Sequence, residues 1–264
     1  MKTSLKYISL LLILLAIGLG IFYWYYGNPK SPTPALKVID QPTSSQPPKA
    51  VTHYPIGSDQ SKNNSAEDLP SLLESDTAMR KSLAGLVGDK KLSQLIFPKE
   101  IIRRIVVSID NLPRETVSAQ LLPLNPVAGQ FAVTANGQSM TIAPDNYRRY
   151  EPYVELIQDL DTSKLVGIYK YFYPLFQQQY KELGYPDGYF NDRLVEVMDY
   201  MINFKEVTEP VQLTQTHVLY QYADPDLEKM SAGGKLLTRI GPANASKVKD
   251  KLREIRSELV RKER

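Results

Sequence analysis

The 264-residue sequence contains no cysteine and only two histidines. The missing thiol excludes disulfides, thiolate zinc sites, cysteine nucleophiles and a lipid-modified N-terminal cysteine. His53 lies in a proline-rich stretch, so a histidine-dependent metal site or catalytic triad in the folded part would depend on His217 alone. We therefore expect no metal centre and no cofactor.

Familiar catalytic motifs are also missing. The chain has no dinucleotide fingerprint, zinc-protease helix or nucleophile-elbow pentapeptide. The segment AGGK at residues 232–235 resembles a phosphate-binding loop, but Lys229 stands where the first glycine belongs. Leu236 stands where a magnesium-binding hydroxyl is required. This segment is more typical of a helix turn.

A strong excess of positive charge is absent from the central part of the chain. The formal net charge is +3, yet residues 69–246 carry a net negative charge and residues 247–264 a positive one. Such a domain lacks the basic surface that binding to a phosphate backbone requires, so we expect no nucleic-acid partner. The basic residues of the C-terminal segment, Lys249 and Lys251 among them, are expected to form a solvated surface, with an anion-binding patch as the alternative.

Residues 7–26 form a run of twenty residues without charge. As a helix this run would cross about 30 Å of hydrocarbon, which is one bilayer. The aromatic residues 23–26 suit the headgroup layer, and they stand where a cleavable signal peptide needs small residues. We predict an uncleaved signal-anchor, a single transmembrane helix with residues 1–6 in the cytoplasm.

Residues 27–68 are rich in proline, serine, threonine and glutamine. Large apolar side chains are too few here to form a core, so we predict a disordered linker. It would span roughly 35 Å as a flexible coil and roughly 130 Å if extended. The linker is either a spacer that reaches a partner layer such as a cell wall or a plain tether.

Residues 69–264 are predicted to fold into a mainly α-helical, bundle-like domain with one or two small β-hairpins. Periodicity and turn residues predict the following elements: helices at 76–88, from Pro98 through Ile109, at 145–160, at 163–183 with a kink or division at Pro174, and at 191–204; a hairpin at 131–142; short strands at 211–213 and 218–222; and a final helix after Gly241 and Pro242. Asp76 is expected to cap the first helix. The tyrosine-rich stretches are expected to supply core packing, with an aromatic ligand cage as the alternative.

A polar turn that leads into a helix start is the best candidate site. Helix starts attract anions, and an arginine can clamp a carboxylate or phosphate. The alternative is structural: Asn191 caps the helix and Arg193 pairs with an acid. The acids of this helix, Asp192, Glu196 and Asp199, could bind a hard cation or form an ordinary solvated face. The residues predicted to bind a ligand or partner are Tyr185, Asp187, Tyr189, Asn191, Asp192 and Arg193.

The domain resembles a bacterial family known as domain of unknown function 3014. The segments that carry the likeness are LPSLLESD, IDNLPRE, LLPLNPVAGQFAV, YRRYEPYV, YPLFQQQYKELGYPDGYFNDRLVEVMD and MSAGGKLLTRIGPANASKVKDKLREIR, and they cover nearly all of residues 69–260. The resemblance implies a single N-terminal membrane helix, a proline-rich stalk and a location in the cell inner membrane with the domain in the periplasm. It carries over no catalytic residue.

Two hypotheses for the function follow. The first is an envelope interaction or scaffold module whose periplasmic domain binds an envelope protein or a cell-wall component, which requires no catalytic group. The second is a membrane-tethered hydrolase of cell-wall material that uses carboxylates such as Asp192 and Glu196. The absence of catalytic motifs and the abundance of tyrosine, which is enriched in interfaces, favour the first.

Overall fold

The computed structural model describes residues 53–56, 69–137, 139–215 and 219–261. The predicted transmembrane helix, most of the predicted linker and His217 lie outside these ranges. Within them, no helix combines the length and the apolarity that a bilayer crossing requires.

The described residues form a mainly helical domain with one small antiparallel sheet. The helices are α1 (Ser75–Val87), α2 (Asp89–Leu95), α3 (Ile101–Asn111), α4 (Pro144–Arg148), α5 (Glu151–Asp159), α6 (Thr162–Glu182), α7 (Phe190–Asn203), α8 (Pro225–Glu228), α9 (Ala232–Ile240) and α10 (Pro242–Val260), with 3-10 turns at Leu72–Glu74 and Ala119–Leu121. The strands are β1 (Val133–Asn136), β2 (Ser139–Ile142), β3 (Gln212–Thr214) and β4 (Gln221–Tyr222). The predicted fold class is confirmed for this part of the chain.

The helical core lies where α1, α3, α6 and α7 meet. Helix α3 packs against α6 and α7, and α10 packs against α5, α6 and α7. The side chains that fill this core are apolar and almost fully buried, as the periodic spacing of apolar residues on α3 and α6 predicts. They are Met79, Ile101, Ile102, Val106, Phe172, Leu175, Phe176, Tyr180 and Phe190.

The sheet joins the predicted hairpin to the two later strands. Its order is β1-β2-β3-β4, with every neighbouring pair antiparallel. Gly137, at a φ of 60°, makes the turn between β1 and β2, which confirms the hairpin predicted from Asn136 and Gly137. The strand pairing of β2 with β3 is long-range, and no local pattern had indicated it.

Three helix predictions were wrong in detail. The stretch 145–160 forms two helices, because Pro152 has no amide hydrogen and its ring conflicts with the carbonyl of the preceding turn. Helix α6, in contrast, is not divided at Pro174, which was one of the two predicted effects of that proline, since the neighbouring Phe172 and Phe176 are buried in the core. Pro98 does not open a helix, because α3 begins at Ile101 after Glu100 adopts a left-handed conformation.

Asp76 caps a different helix from the one predicted. Its carboxylate accepts hydrogen bonds from the backbone amides of Glu100 at 2.7 Å and Ile101 at 2.8 Å, at the start of α3. A carboxylate at a helix N-terminus satisfies amides that have no partner within the helix. Asp76 therefore ties α1 to α3.

Two lysines of α10 are not solvated, in contrast to the prediction. Lys249 is 6% exposed and donates to the carbonyl oxygen of Phe204 at 2.8 Å. Lys251 is 7% exposed and contacts Glu254 at 2.7 Å and the carbonyl oxygen of Leu160 at 3.1 Å. Each ammonium group thus fixes α10 to the end of a neighbouring helix, while Lys247 and Arg253 remain exposed.

Candidate functional site

The start of α7 is held in place by α6. Phe190 is fully buried and stacks on Phe176, with ring centroids 5.6 Å apart. The Gln177 side chain accepts the amide hydrogen of Phe190 at 2.9 Å and donates to the carbonyl oxygen of Gly188 at 2.7 Å. Gln177 therefore does the capping, and the prediction that Asn191 caps α7 was wrong.

Asn191 and Asp192 instead bind the backbone of Tyr54. The Asn191 side-chain amide donates to the carbonyl oxygen of Tyr54 at 2.7 Å. The Asp192 carboxylate accepts the amide hydrogen of Tyr54 at 2.7 Å and lies 2.8 Å from the Nδ1 atom of His53. The His53 ring packs against the Tyr189 ring, with centroids 4.2 Å apart. Two adjacent side chains, Asn191 and Asp192, therefore bind both the carbonyl oxygen and the amide hydrogen of Tyr54.

Residues 53–56 lie along the domain as an extended segment. His53 and Pro55 are exposed while Tyr54 and Ile56 are half-buried, the alternation of a strand. The two inward side chains pack against a cluster from α6, α7 and α10 that comprises Val166, Val195, Met198 and Leu259. We call Tyr189, Asn191, Asp192 and this apolar cluster the peptide site.

The orientation of the Asn191 amide follows from its burial. Asn191 is 1% exposed, and its side-chain oxygen accepts a hydrogen bond from the Tyr169 hydroxyl at 3.1 Å. Burial raises the pKa of Tyr169 well above its usual value, so this hydroxyl keeps its proton and acts as the donor. The Asn191 nitrogen is thereby directed at Tyr54. The part of the peptide site that the domain contributes is therefore preorganised for the segment.

Arg256 of α10 borders the same site. It forms an ion pair with Asp199 of α7, with one nitrogen–oxygen distance of 2.9 Å. The hydrogen bond with Asp199 raises the pKa of Arg256 against the lowering effect of burial, and the neighbouring Tyr54 hydroxyl adds to the rise. Helix α10 thus contributes the charged side chain of Arg256, as well as apolar side chains, to the surroundings of residues 53–56.

Tyr185 and Arg193 belong to a second group of contacts, which is centred on α3. The carboxylate of Asp110, which is 3% exposed, accepts hydrogen bonds from Arg193 at 3.1 Å, Arg114 at 2.8 Å and the Tyr185 hydroxyl at 3.2 Å. Arg193 also donates to the carbonyl oxygen of Asp110 at 2.8 Å and to Glu196 at 2.9 Å. We call this group the Asp110 network. It joins the end of α3 to the start of α7.

The six predicted site residues therefore do not converge on one ligand. Tyr189, Asn191 and Asp192 belong to the peptide site, Tyr185 and Arg193 belong to the Asp110 network, and Asp187 lies exposed in the turn. The acids of α7 also point to separate partners: Asp192 to the segment, Glu196 to Arg193 and Asp199 to Arg256. Across the described residues, no group of three or more histidine or acidic side chains is arranged to hold a metal ion.

The glycines of residues 232–235 serve helix packing. The amides of Ala232 and Gly233 donate to carbonyl oxygens at the end of α3, at 2.6 and 2.8 Å, and the Gly234 amide donates to the Ser231 hydroxyl at 2.9 Å. A side chain at Gly234 would meet the Phe204 ring at 2.5 Å. These amides are thus committed to the fold, and the interpretation as a helix turn is confirmed.

Comparison with known proteins identifies the family to which this sequence belongs. A family model described as "Protein of unknown function (DUF3014)" matches residues 101–256, from the start of α3 to within the last turns of α10. The chain belongs to this family. The match spans both the Asp110 network and the α7 part of the peptide site, whereas residues 53–56 lie before it. No curated protein and no solved structure matches the DUF3014 chain.

Sequence reasoning missed two parts of the site. It assigned residues 53–56 to the linker, and it gave Asp110 no role. The spacing of Tyr54 and Ile56, two apolar residues separated by one position in a polar stretch, was the available signal for an extended segment. Asp110 had no such signal, because a single acid in an apolar helix does not show which cation it meets.

Proposed function

We propose that this DUF3014 chain is a single-pass inner-membrane protein whose periplasmic domain binds an extended peptide segment of an envelope protein at the peptide site. One observation carries the proposal: Asn191 and Asp192 hold the carbonyl and amide groups of Tyr54 at 2.7 Å each. Main-chain hydrogen bonds of this kind supply affinity in peptide recognition, and pockets for alternate side chains supply specificity.

The chemistry of the site defines the peptide it would accept. Tyr54 and Ile56 are the inward residues and Pro55 lies between them, so a matching partner carries an aromatic residue, a proline and a branched aliphatic residue in succession. Proline reduces the conformational freedom of the free peptide and disfavours a helix before it. A partner segment of this pattern would bind with little ordering cost.

The chain's own segment is the competitor that such a partner must displace. It belongs to the same chain as the domain, so its competition does not depend on the protein concentration. The docked segment would also hold residues 53–56 against the domain and so remove them from the predicted linker. Displacement by a partner would therefore lengthen the stalk, so that binding and reach are coupled.

The location rests on the sequence. The uncharged run at residues 7–26 has the length of one bilayer crossing, and its aromatic end suits the interface. The resemblance to a family with an N-terminal membrane helix supports the same orientation. We place the domain in the periplasm, where an extended partner segment would be encountered.

Cross-linking in spheroplasts tests the site and the location together. Because the chain lacks cysteine, the pair His53→Cys and Tyr189→Cys introduces the only thiols, at positions whose rings are in contact. A short, membrane-impermeant reagent with two thiol-reactive groups should link them within one chain. The control pair His53→Cys and Tyr200→Cys moves one thiol about 15 Å along α7 and should link much less.

The experiment tests the periplasmic location and the docked segment separately. Labelling of the single variant Tyr189→Cys by an impermeant thiol reagent reports location alone, and protection of that thiol in intact spheroplasts would overturn the periplasmic orientation. Labelling without a preference for the His53–Tyr189 pair would overturn the docked segment. Links between two chains in place of links within one would show that the segment binds a second copy.

A further inference from the structure

An apolar cavity that is partly open to solvent lies in the domain, between the peptide site and the helical core. Its volume is about 230 Å³, and α1, α3, α6, α7 and α10 all contribute to its wall. The lining is aliphatic and aromatic throughout. Tyr169 carries the one hydroxyl on the lining, and that group donates to Asn191 rather than to a molecule in the cavity.

An empty cavity of this size would be costly for the fold. Protein interiors are close-packed, and an empty cavity destabilises the fold in proportion to its volume. An engineered apolar cavity of roughly 150 Å³ stays free of water and binds benzene. By proportion, the cavity here accommodates roughly nine non-hydrogen atoms.

The wall of the cavity also determines what can enter it. Water finds no hydrogen-bonding partner there, because the lining offers no unpaired polar group among the residues that the structure describes. Several lining side chains remain half-buried, Leu83, Ile105 and Leu194 among them, so solvent reaches part of their surface. An occupant must be apolar and must be able to pass between helices.

We propose that this cavity binds a short hydrocarbon chain, such as the apolar end of a fatty acid or of a lipid acyl chain. A chain of eight or nine carbons fits the volume, and its apolar surface matches the aliphatic and aromatic lining. Val166 and Leu259 line the cavity and also belong to the cluster on which Tyr54 and Ile56 pack. The cavity and the peptide site thus share part of their apolar wall, but neither Asn191 nor Asp192 lines the cavity, so its occupation can be tested without a peptide partner.

Methyl NMR titration of the full-length chain in a mild detergent tests the proposal. We use 1-octanol as the probe, with benzene as a compact comparison, and a detergent with a rigid steroid group in place of a hydrocarbon chain, so that the detergent does not compete with the probe. Saturable shifts are expected for the methyl groups of Met79, Ile105, Ile109 and Ile255. The methyl groups of Leu237 and Ile240, which belong to a separate cluster, should not move.

A matched pair of variants decides whether the cavity is the site. Ile105→Phe places a larger ring in the cavity and should weaken octanol binding at least tenfold. Ile157→Phe makes the same change at a half-buried position of α5 that does not line the cavity and should leave binding unchanged. Absence of saturable shifts, or equal binding by both variants, would overturn the proposal. Binding of benzene without octanol would overturn the choice of a chain-shaped ligand.

The source of the chain follows from a second titration. Octanoate and 1-octanol share the hydrocarbon chain and differ in the charge at its end. Equal affinity would indicate that only the apolar end is recognised, as for a lipid acyl chain. Preference for octanoate of tenfold or more would indicate a free fatty acid whose carboxylate meets a cation outside the cavity.

Discussion

The substitution Asp110→Ala should lower the free energy of unfolding by about 3–5 kcal/mol, the range seen when one partner of a buried ion pair is removed. Asp110 is nearly buried and receives hydrogen bonds from Arg193, Arg114 and Tyr185. Its loss leaves the Arg193 guanidinium, whose side chain is 18% exposed, without its main counter-charge. Glu196 remains as a partner, but it lies on the exposed side.

Urea unfolding of the full-length chain in mild detergent measures this effect. The matched control is Asp145→Ala, which removes an acid that pairs with Arg148 at the surface, where both side chains are more than half exposed. Exposed pairs contribute about 0–1 kcal/mol, so the control midpoint should stay close to that of the native chain. Equal midpoints for the two variants would show that the Asp110 network does not join α3 to α7.

The substitution Asp192→Ala should reduce the docking equilibrium of residues 53–56 by a factor of at least about a hundred. The carboxylate accepts the Tyr54 amide and contacts His53, and hydrogen bonds to charged groups each contribute about 1.5–3 kcal/mol. Losing both would release the segment while leaving the α7 start intact, because Gln177 rather than Asp192 holds the Phe190 amide. The effect should therefore be confined to the segment.

Amide hydrogen exchange resolves this effect residue by residue. The Tyr54 amide should exchange near the rate of an unprotected chain in Asp192→Ala, and the Phe190 amide should keep its native rate. The control variant Asp187→Ala changes an exposed acid five residues earlier and should leave Tyr54 protected. A Tyr54 amide that stays protected in Asp192→Ala would show that the carboxylate does not hold the segment.

Local patterns in the sequence predicted local structure well. Helix α7 was placed within one residue at each end, because its apolar stripe and the preceding turn are both encoded locally. The end of α6 before Gly184, at a φ of 113°, followed in the same way from the conformational freedom of glycine. The hairpin turn at Gly137 is a third case.

Contacts between distant residues account for the errors. Asp76 was assigned to its own helix and caps α3, and Lys249 was assigned to solvent and binds the Phe204 carbonyl oxygen. The sequence is compatible with several hydrogen-bonding partners for each polar residue. The packing of the helices and strands determines which of these partners the residue contacts. Tyr54 and Asp192 are an instance within the site, since 138 positions separate them.

The candidate residues were thus identified better than their roles. Residue type predicted that Asn191, Asp192 and Arg193 would form directed polar contacts, which they do. The sequence did not show that two of them bind a backbone and that the third pairs with Asp110. That division depends on the orientation of α7 against α3, which is set by the buried Phe190 and its neighbours.

Titration of a peptide against a vacated peptide site tests the central claim most directly. In the full-length chain, Tyr54→Gly and Ile56→Gly remove the two inward side chains of the native segment. A fluorescent peptide with the sequence of residues 51–58 is then added, and its anisotropy is followed. A second peptide, with the tyrosine and proline exchanged, has the same composition and a shifted alternation.

The account predicts saturable binding of the first peptide to the vacated chain. Binding should be at least tenfold weaker to the native chain, whose own segment competes, and to the vacated chain that also carries Asp192→Ala. The exchanged peptide should bind at least tenfold more weakly than the first. No saturable binding to the vacated chain, or equal binding of the two peptides, would contradict the assignment of this domain as a peptide-binding module.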